Sequence, residues 1–210
     1  MSTDLASPAS RPLTPAAERV LDAASRLFYE RGIRAVGVDA IAEESGVTKV
    51  TLYKQFGSKE RLVAEYLRAR DERWRASLAA VTARHQPARE RLLAVFDAYA
   101  EWLGGESFRG CGFVNAAVEL TDPGHPALEV ARAHKLALRR HLADLAAQAG
   151  SPRAHEVADE LLLLLDGAAV AALMSRSVAP LDAARAAARR LLDVPGGEAA
   201  TDPAVAASSS

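Results

Sequence analysis

The chain has 210 residues, half of them hydrophobic and a quarter charged, with a formal net charge of −1. Such a composition fits an ordinary globular protein of one large or two small domains. It excludes an extreme polybasic binder, and a single cysteine, Cys111, excludes a disulfide framework within the chain, so a reducing compartment is expected.

Residues 1–13 and 195–210 are rich in Ser, Ala and Pro, carry no periodicity, and read as disordered tails. The opening has no apolar core of a signal peptide. Between the tails no stretch alternates with period two for long, and Ala, Leu, Arg and Glu dominate, which predicts an all-α fold of about nine helices. The first helix runs from about Thr14 to Arg31, with Thr14 as its cap, Pro15 at its first position and Gly32 at its end. Val20, Ala24, Leu27 and Phe28 form its apolar stripe. A second helix covers about 38–45 and is stopped by Gly46; a third covers about 48–56. Ser58 caps a long helix that reaches about Arg84, just before Pro87. Later helices are expected near 88–103, 113–120, 126–149, 152–177 and 181–193, jointed at Gly104-Gly105, Pro123-Gly124, Gly150, Pro152 and Pro180. The longest apolar run, 161–174, is too short to span a bilayer and reads as a buried helix. The expected division is a head, 14–60, and a helical body, 61–194, in a cytoplasmic protein.

Residues 38–56 have the form helix, tight turn, helix. Small Ala42 permits close approach, Gly46 suits a left-handed turn, and Val47 and Leu52 pin both helices to the first. At about 100° per residue, Thr48, Leu52 and Phe56 fall on the inner face of the third helix. Val50 and Lys54 point away from it, flanked by Lys49, Thr51 and Tyr53. Lys49, Lys54, Lys59 and Arg61 stand against Glu60 alone in the stretch 46–61. This face offers what a major groove asks for: Lys for guanine or phosphate, Thr and Tyr hydroxyls, and Val for a thymine methyl. Thr48 opens a helix N-terminus that suits a phosphate. Lys59 is placed on the same side, gripping the DNA backbone. The expected DNA-binding residues are therefore Thr48, Lys49, Val50, Thr51, Tyr53, Lys54 and Lys59.

Residues Leu21 to Val63 resemble the TetR family of bacterial transcriptional repressors. The resemblance rests on Ala24, Leu27-Phe28, Gly32, Ile41-Ala42, Gly46-Val47, Thr51-Leu52-Tyr53, Phe56 and Ser58-Lys59-Glu60, about a fifth of the chain. Gln55 and Gly57 depart from it. The resemblance implies a recognition helix in the major groove, a homodimer joined through the last two long helices, and a body whose small-molecule effector releases a palindromic double-stranded DNA operator.

The residues of the body add their own signals. The 152–177 helix is apolar almost all round, and 181–193 offers Leu181, Ala184, Ala188, Leu191 and Leu192, which suits a bundle of four helices from two subunits. Tyr99, Trp102, Phe113, Asn115 and His134 are candidates to line an effector cavity. Asp166 interrupts an apolar run and needs a partner, a ligand amine or an arginine across the dimer. Cys111 lies between glycines beside Arg109, just before a helix start, where a thiol's pKa would fall; a thiol sensor of electrophiles or oxidants on the same scaffold is the alternative reading. His134 and His141 read as solvated helical histidines, with no metal site. No cofactor is expected, and no nucleophile elbow, phosphate loop or paired zinc motif supports an enzyme.

Overall fold

The structure, a computed structural model, describes residues 13–104 and 108–193. Gly105 and the expected tails, Leu13 apart, lie outside the described residues. These contain nine helices and no strand: α1 Pro15–Arg31, α2 Val38–Ser45, α3 Lys49–Phe56, α4 Lys59–Thr82, α5 Ala88–Leu103, α6 Gly112–Glu119, α7 Pro126–Gln148, α8 Ala154–Ser175 and α9 Ala179–Asp193. The helix ends follow local chemistry. Thr14 Oγ1 accepts from the Ala17 N–H, Thr48 from Thr51, Ser58 from Arg61, and the His125 ring from Ala127. Thr48 is thus an exposed cap rather than a member of the inner face. Gly46 closes α2 in the left-handed region at φ 63°, a conformation that glycine adopts without strain.

Side-chain burial forms two cores. The first joins Val20, Leu27 and Phe28 of α1, Ile41 of α2, Leu52 and Phe56 of α3, and Leu62, Val63, Tyr66 and Leu67 of α4. Phe113 and Ala116 of α6 and Ala127 and Ala131 of α7 belong to it as well. Helices of eight residues such as α2 and α3 do not hold in isolation, and this burial is what fixes them. The second core takes over on α4 at Trp74, Leu78 and Val81 and runs through α5, the second half of α7, α8 and α9. Both cores are therefore threaded on α4, a 24-residue rod about 36 Å long. A displacement of its body half carries its head half along.

The surface of the body corrects one expectation. Asp166 is not buried among apolar groups. Its side chain is about a third exposed and is paired with Lys135 of α7 in the same chain. On α9, Leu181, Ala184 and Ala188 are buried against the second core of the same chain, whereas Leu191 and Leu192 are partly exposed. Arg185 ties α9 to Asp97 of α5 at 3.0 Å.

Candidate nucleic-acid interface

On α3 the inner face is dry and the outer face is open. Leu52 is wholly buried and Phe56 nearly so, whereas Val50 is 79% exposed and Tyr53 46% exposed. Val50 is thereby free to meet a partner surface. Lys54 is exposed as well and makes no ion pair among the described residues. The Thr48 hydroxyl shares a 3.0 Å hydrogen bond with that of Thr51, and it also accepts the Thr51 N–H. Both hydroxyls are thereby fixed at the helix start.

Two of the expected residues are engaged otherwise. Lys49 is paired with Asp39 of α2, which raises the lysine's pKa and ties its ammonium to the start of that helix. Lys59 does not reach out to grip a DNA backbone. Its Nζ donates at 2.8 Å to the Ile33 carbonyl and lies over the Phe28 ring. Burial lowers its pKa, with Glu60 and Glu119 opposing. The physical reason is its place at the first turn of α4, against the loop after α1, where an orphan carbonyl needs a donor. Lys59 thus positions the head. Thr48, Val50, Thr51, Tyr53 and Lys54 remain together on the outward face of α3.

The head is also strapped to the body by contacts that no sequence period announces. The Tyr29 hydroxyl of α1 accepts the Arg109 N–H at 3.0 Å and donates to the Gly110 carbonyl at 3.0 Å. The Arg109 guanidinium donates to the Glu30 carbonyl. Glu119, at the end of α6, accepts the Arg34 N–H at 3.1 Å. Gly110, at φ 79°, lies against Leu173 of α8. The segment 108–119 therefore touches α1 on one side and α8 on the other.

The expected effector residues do not converge on one cavity. Tyr99 is packed edge-on against Trp74, with ring centroids 4.6 Å apart, and Trp74 also meets Trp102 at 5.6 Å. Burial drives the Tyr99 pKa well above its ordinary value. Phe113 stacks on His134 at 3.6 Å, and Asn115 donates its amide to the Arg109 carbonyl. Cys111 is half-buried beside the strap, and Arg109, expected to act on its thiol, is spent on Glu30. His134 is not solvated. It is 3% exposed, with Nδ1 2.6 Å from Asp71 Oδ1. Burial keeps its pKa low against the pull of Asp71. Burial pushes the Asp71 carboxyl up, but hydrogen bonds from His134 and Arg75 more than offset it and leave the pKa below the ordinary value. A neutral imidazole donating to a carboxylate satisfies both directions. His134, Asp71, Trp74, Arg75 and His141 line a crevice of about 10 Å³, the room of a single water. Of the six expected residues only His134 reaches it. His141 is half-buried, and its Nε2 has no hydrogen-bond partner among the described residues.

Comparison with known proteins settles the class. The sequence profile described as "Bacterial regulatory proteins, tetR family" matches residues 20–66, and that described as "Tetracyclin repressor-like, C-terminal domain" matches 88–188. The uncharacterized HTH-type transcriptional regulator Rv0196 of Mycobacterium tuberculosis is 31% identical over 83% of this chain and 93% of its own length. The chain belongs to the TetR family. HTH-type transcriptional regulator YjdC of Escherichia coli is 28% identical, with 83% of this chain and 92% of the relative covered. The crystal structure of SCO4454, a TetR-family transcriptional regulator from Streptomyces coelicolor, superposes with a TM-score of 0.74 at 30% identity, over 83% and 96% of the two chains. This TetR-family chain is a DNA-binding transcriptional regulator of the helix-turn-helix type and not an enzyme. No helix among the described residues is long and apolar enough to cross a membrane.

Proposed function

We propose that the protein is a homodimeric, ligand-responsive repressor that works in the cytoplasm and holds a palindromic operator through two copies of α3. The observation that carries this reading is the sorting of α3 into a buried anchor, Leu52 and Phe56, and an exposed Val50, Tyr53 and Lys54. In a major groove, Val50 meets a thymine methyl, Lys54 a phosphate or guanine, and Thr48 with the first N–H groups of α3 a backbone phosphate.

A second copy of the chain is supported by α8. Leu163, Val170 and Met174 are 73%, 53% and 80% exposed. Spacings of seven and four residues put them on one helix face, and such an apolar stripe calls for cover. Release by a small molecule is supported by the connectivity of α4. A molecule that opens the closed crevice at Trp74 and His134 must part α4 from α7, and α4 carries the head. Ligand and DNA then oppose one another by the same coupling free energy in both directions.

Selection of bound duplexes from a random pool, followed by mobility-shift titration at several salt concentrations, tests the reading. The expected result is an inverted-repeat site and affinity that falls steeply with salt. Failure to enrich any duplex would refute it.

A further inference from the structure

The crevice at His134 is closed, but a ligand-sized opening exists elsewhere. Between α1 and α4 lies a cleft of about 530 Å³. Its α1 wall carries Asp22, Ser25, Tyr29 and Glu30, and its α4 wall carries Arg70 and Arg73. Arg26, on the same α1 wall, is paired with Glu44 at 2.9 Å. The volume falls in the range of small-molecule sites.

The two walls differ in charge and do not neutralise each other. Among the described residues, no ion pair within 4.0 Å joins Asp22 or Glu30 to Arg70 or Arg73, and none of the four has a carboxylate or cationic partner elsewhere. Arg70 is fixed in place. Its guanidinium lies 4.2 Å from the centre of the Tyr29 ring and 5.4 Å from that of Trp102. A Cβ on residue 112 would stand 2.8 Å from Arg70 Nε, so Gly112 leaves the space that the arginine uses. Arg73 follows three residues later on the same side of α4. Ser25 Oγ is buried without a hydrogen-bond partner among the described residues. The cleft therefore presents a preorganised guanidinium and a second guanidinium on the α4 wall and two carboxylate side chains on the α1 wall.

We propose that the seam between α1 and α4 is a binding site for a small zwitterion, its carboxylate or phosphate on Arg70 and Arg73 and its ammonium on the carboxylates of α1. A simple anion would meet Asp22 and Glu30 as like charges, and a simple cation would meet the two guanidiniums. A molecule carrying both signs satisfies both walls, with a bidentate geometry open to it at the guanidinium. The site is separate from the crevice at His134, and its occupancy does not depend on the DNA-binding reading.

Titration calorimetry on the full chain tests it, with 4-aminobutyrate and phosphoethanolamine as probes and butyrate and butylamine as single-charge controls. The two probes distinguish a carboxylate from a phosphate on the arginines. The expected result is saturable binding, one per protomer, of at least one zwitterion, at least tenfold tighter than either control. The Arg70→Gln/Arg73→Gln variant is expected to abolish it, and Asp22→Asn/Glu30→Gln to reduce it to the level of butyrate. Circular dichroism checks that each variant folds. Should the Arg70 change unfold the chain, Arg73→Gln alone, at an exposed position, is expected to weaken the probe at least fivefold. No saturable heat with either probe, equal affinity for butyrate, or full binding by Arg73→Gln would overturn the proposal.

Discussion

Leu52→Ala and Val50→Ala, two residues apart on one helix, are expected to fail in opposite ways. Leu52 is wholly enclosed between α3 and the rest of the first core. Truncating a buried leucine costs about 2–5 kcal/mol, the spread reflecting how far the site can collapse. Helices α1 and α4 are continuous rods on either side, so little collapse is available and about 3 kcal/mol is expected. That is a large share of the roughly 5–15 kcal/mol by which domains of this kind are stable. Val50 is 79% exposed, and its truncation is expected to change stability by less than about 0.5 kcal/mol. Urea denaturation followed by far-UV circular dichroism reads the first quantity, and mobility-shift titration on selected DNA the second. Leu52→Ala should lower the urea midpoint clearly. Val50→Ala should keep the midpoint and cost about 1 kcal/mol of discrimination at one base pair, the scale of one or two methyl groups taken out of contact. A destabilised Val50→Ala, or unchanged base preference in that variant, would refute the assignment of the two faces.

Tyr29→Phe removes two hydrogen bonds, to Arg109 and Gly110, each worth about 0.5–1.5 kcal/mol net. Faster hydrogen exchange at the amides of 109–112 with α1 unchanged is the expected signature; unaltered exchange there would contradict the strap. His134 and His141 are held below the ordinary value of 6.5 by burial, so the folded chain resists their protonation. Their contribution is complete above 6.5 and is lost as pH falls through the lowered values. The depressed Asp71 adds a further loss below its ordinary 3.8. Denaturation midpoints are expected to fall from about pH 6.5 downward, less steeply in His134→Gln; a flat profile in the unmodified chain would contradict this. Met174→Glu, in an 80% exposed position, is expected to yield a folded monomer by sedimentation; an unchanged dimer would move the interface elsewhere.

The helices were legible because their signals are local. Thr14, Thr48 and Ser58 cap as their side-chain oxygens dictate, and Gly32 and Gly46 end α1 and α2 where expected. The two faces of α3 follow from 100° per residue and from little else. What stayed hidden depends on pairs far apart in the chain. Nothing at Lys59 shows that the Ile33 carbonyl awaits it, nor at Asp166 that Lys135 will face it from α7. Aromatic type marked Tyr99 and Phe113 as cavity candidates, but the same type fills cores. Here Trp74 and His134 complete the packing that closes the space. Tyr29 and Asp71 sit among ordinary helical residues, and their partners lie about 80 and 63 positions away.

Hydroxyl-radical footprinting on a selected duplex tests the central claim most directly, since it reads where α3 touches DNA and how many copies do so. Two protected patches on one face of the duplex, about one helical turn apart and both weakened by Lys54→Ala, are the predicted result. A single patch, or protection that Lys54→Ala and Val50→Ala leave intact, would contradict it.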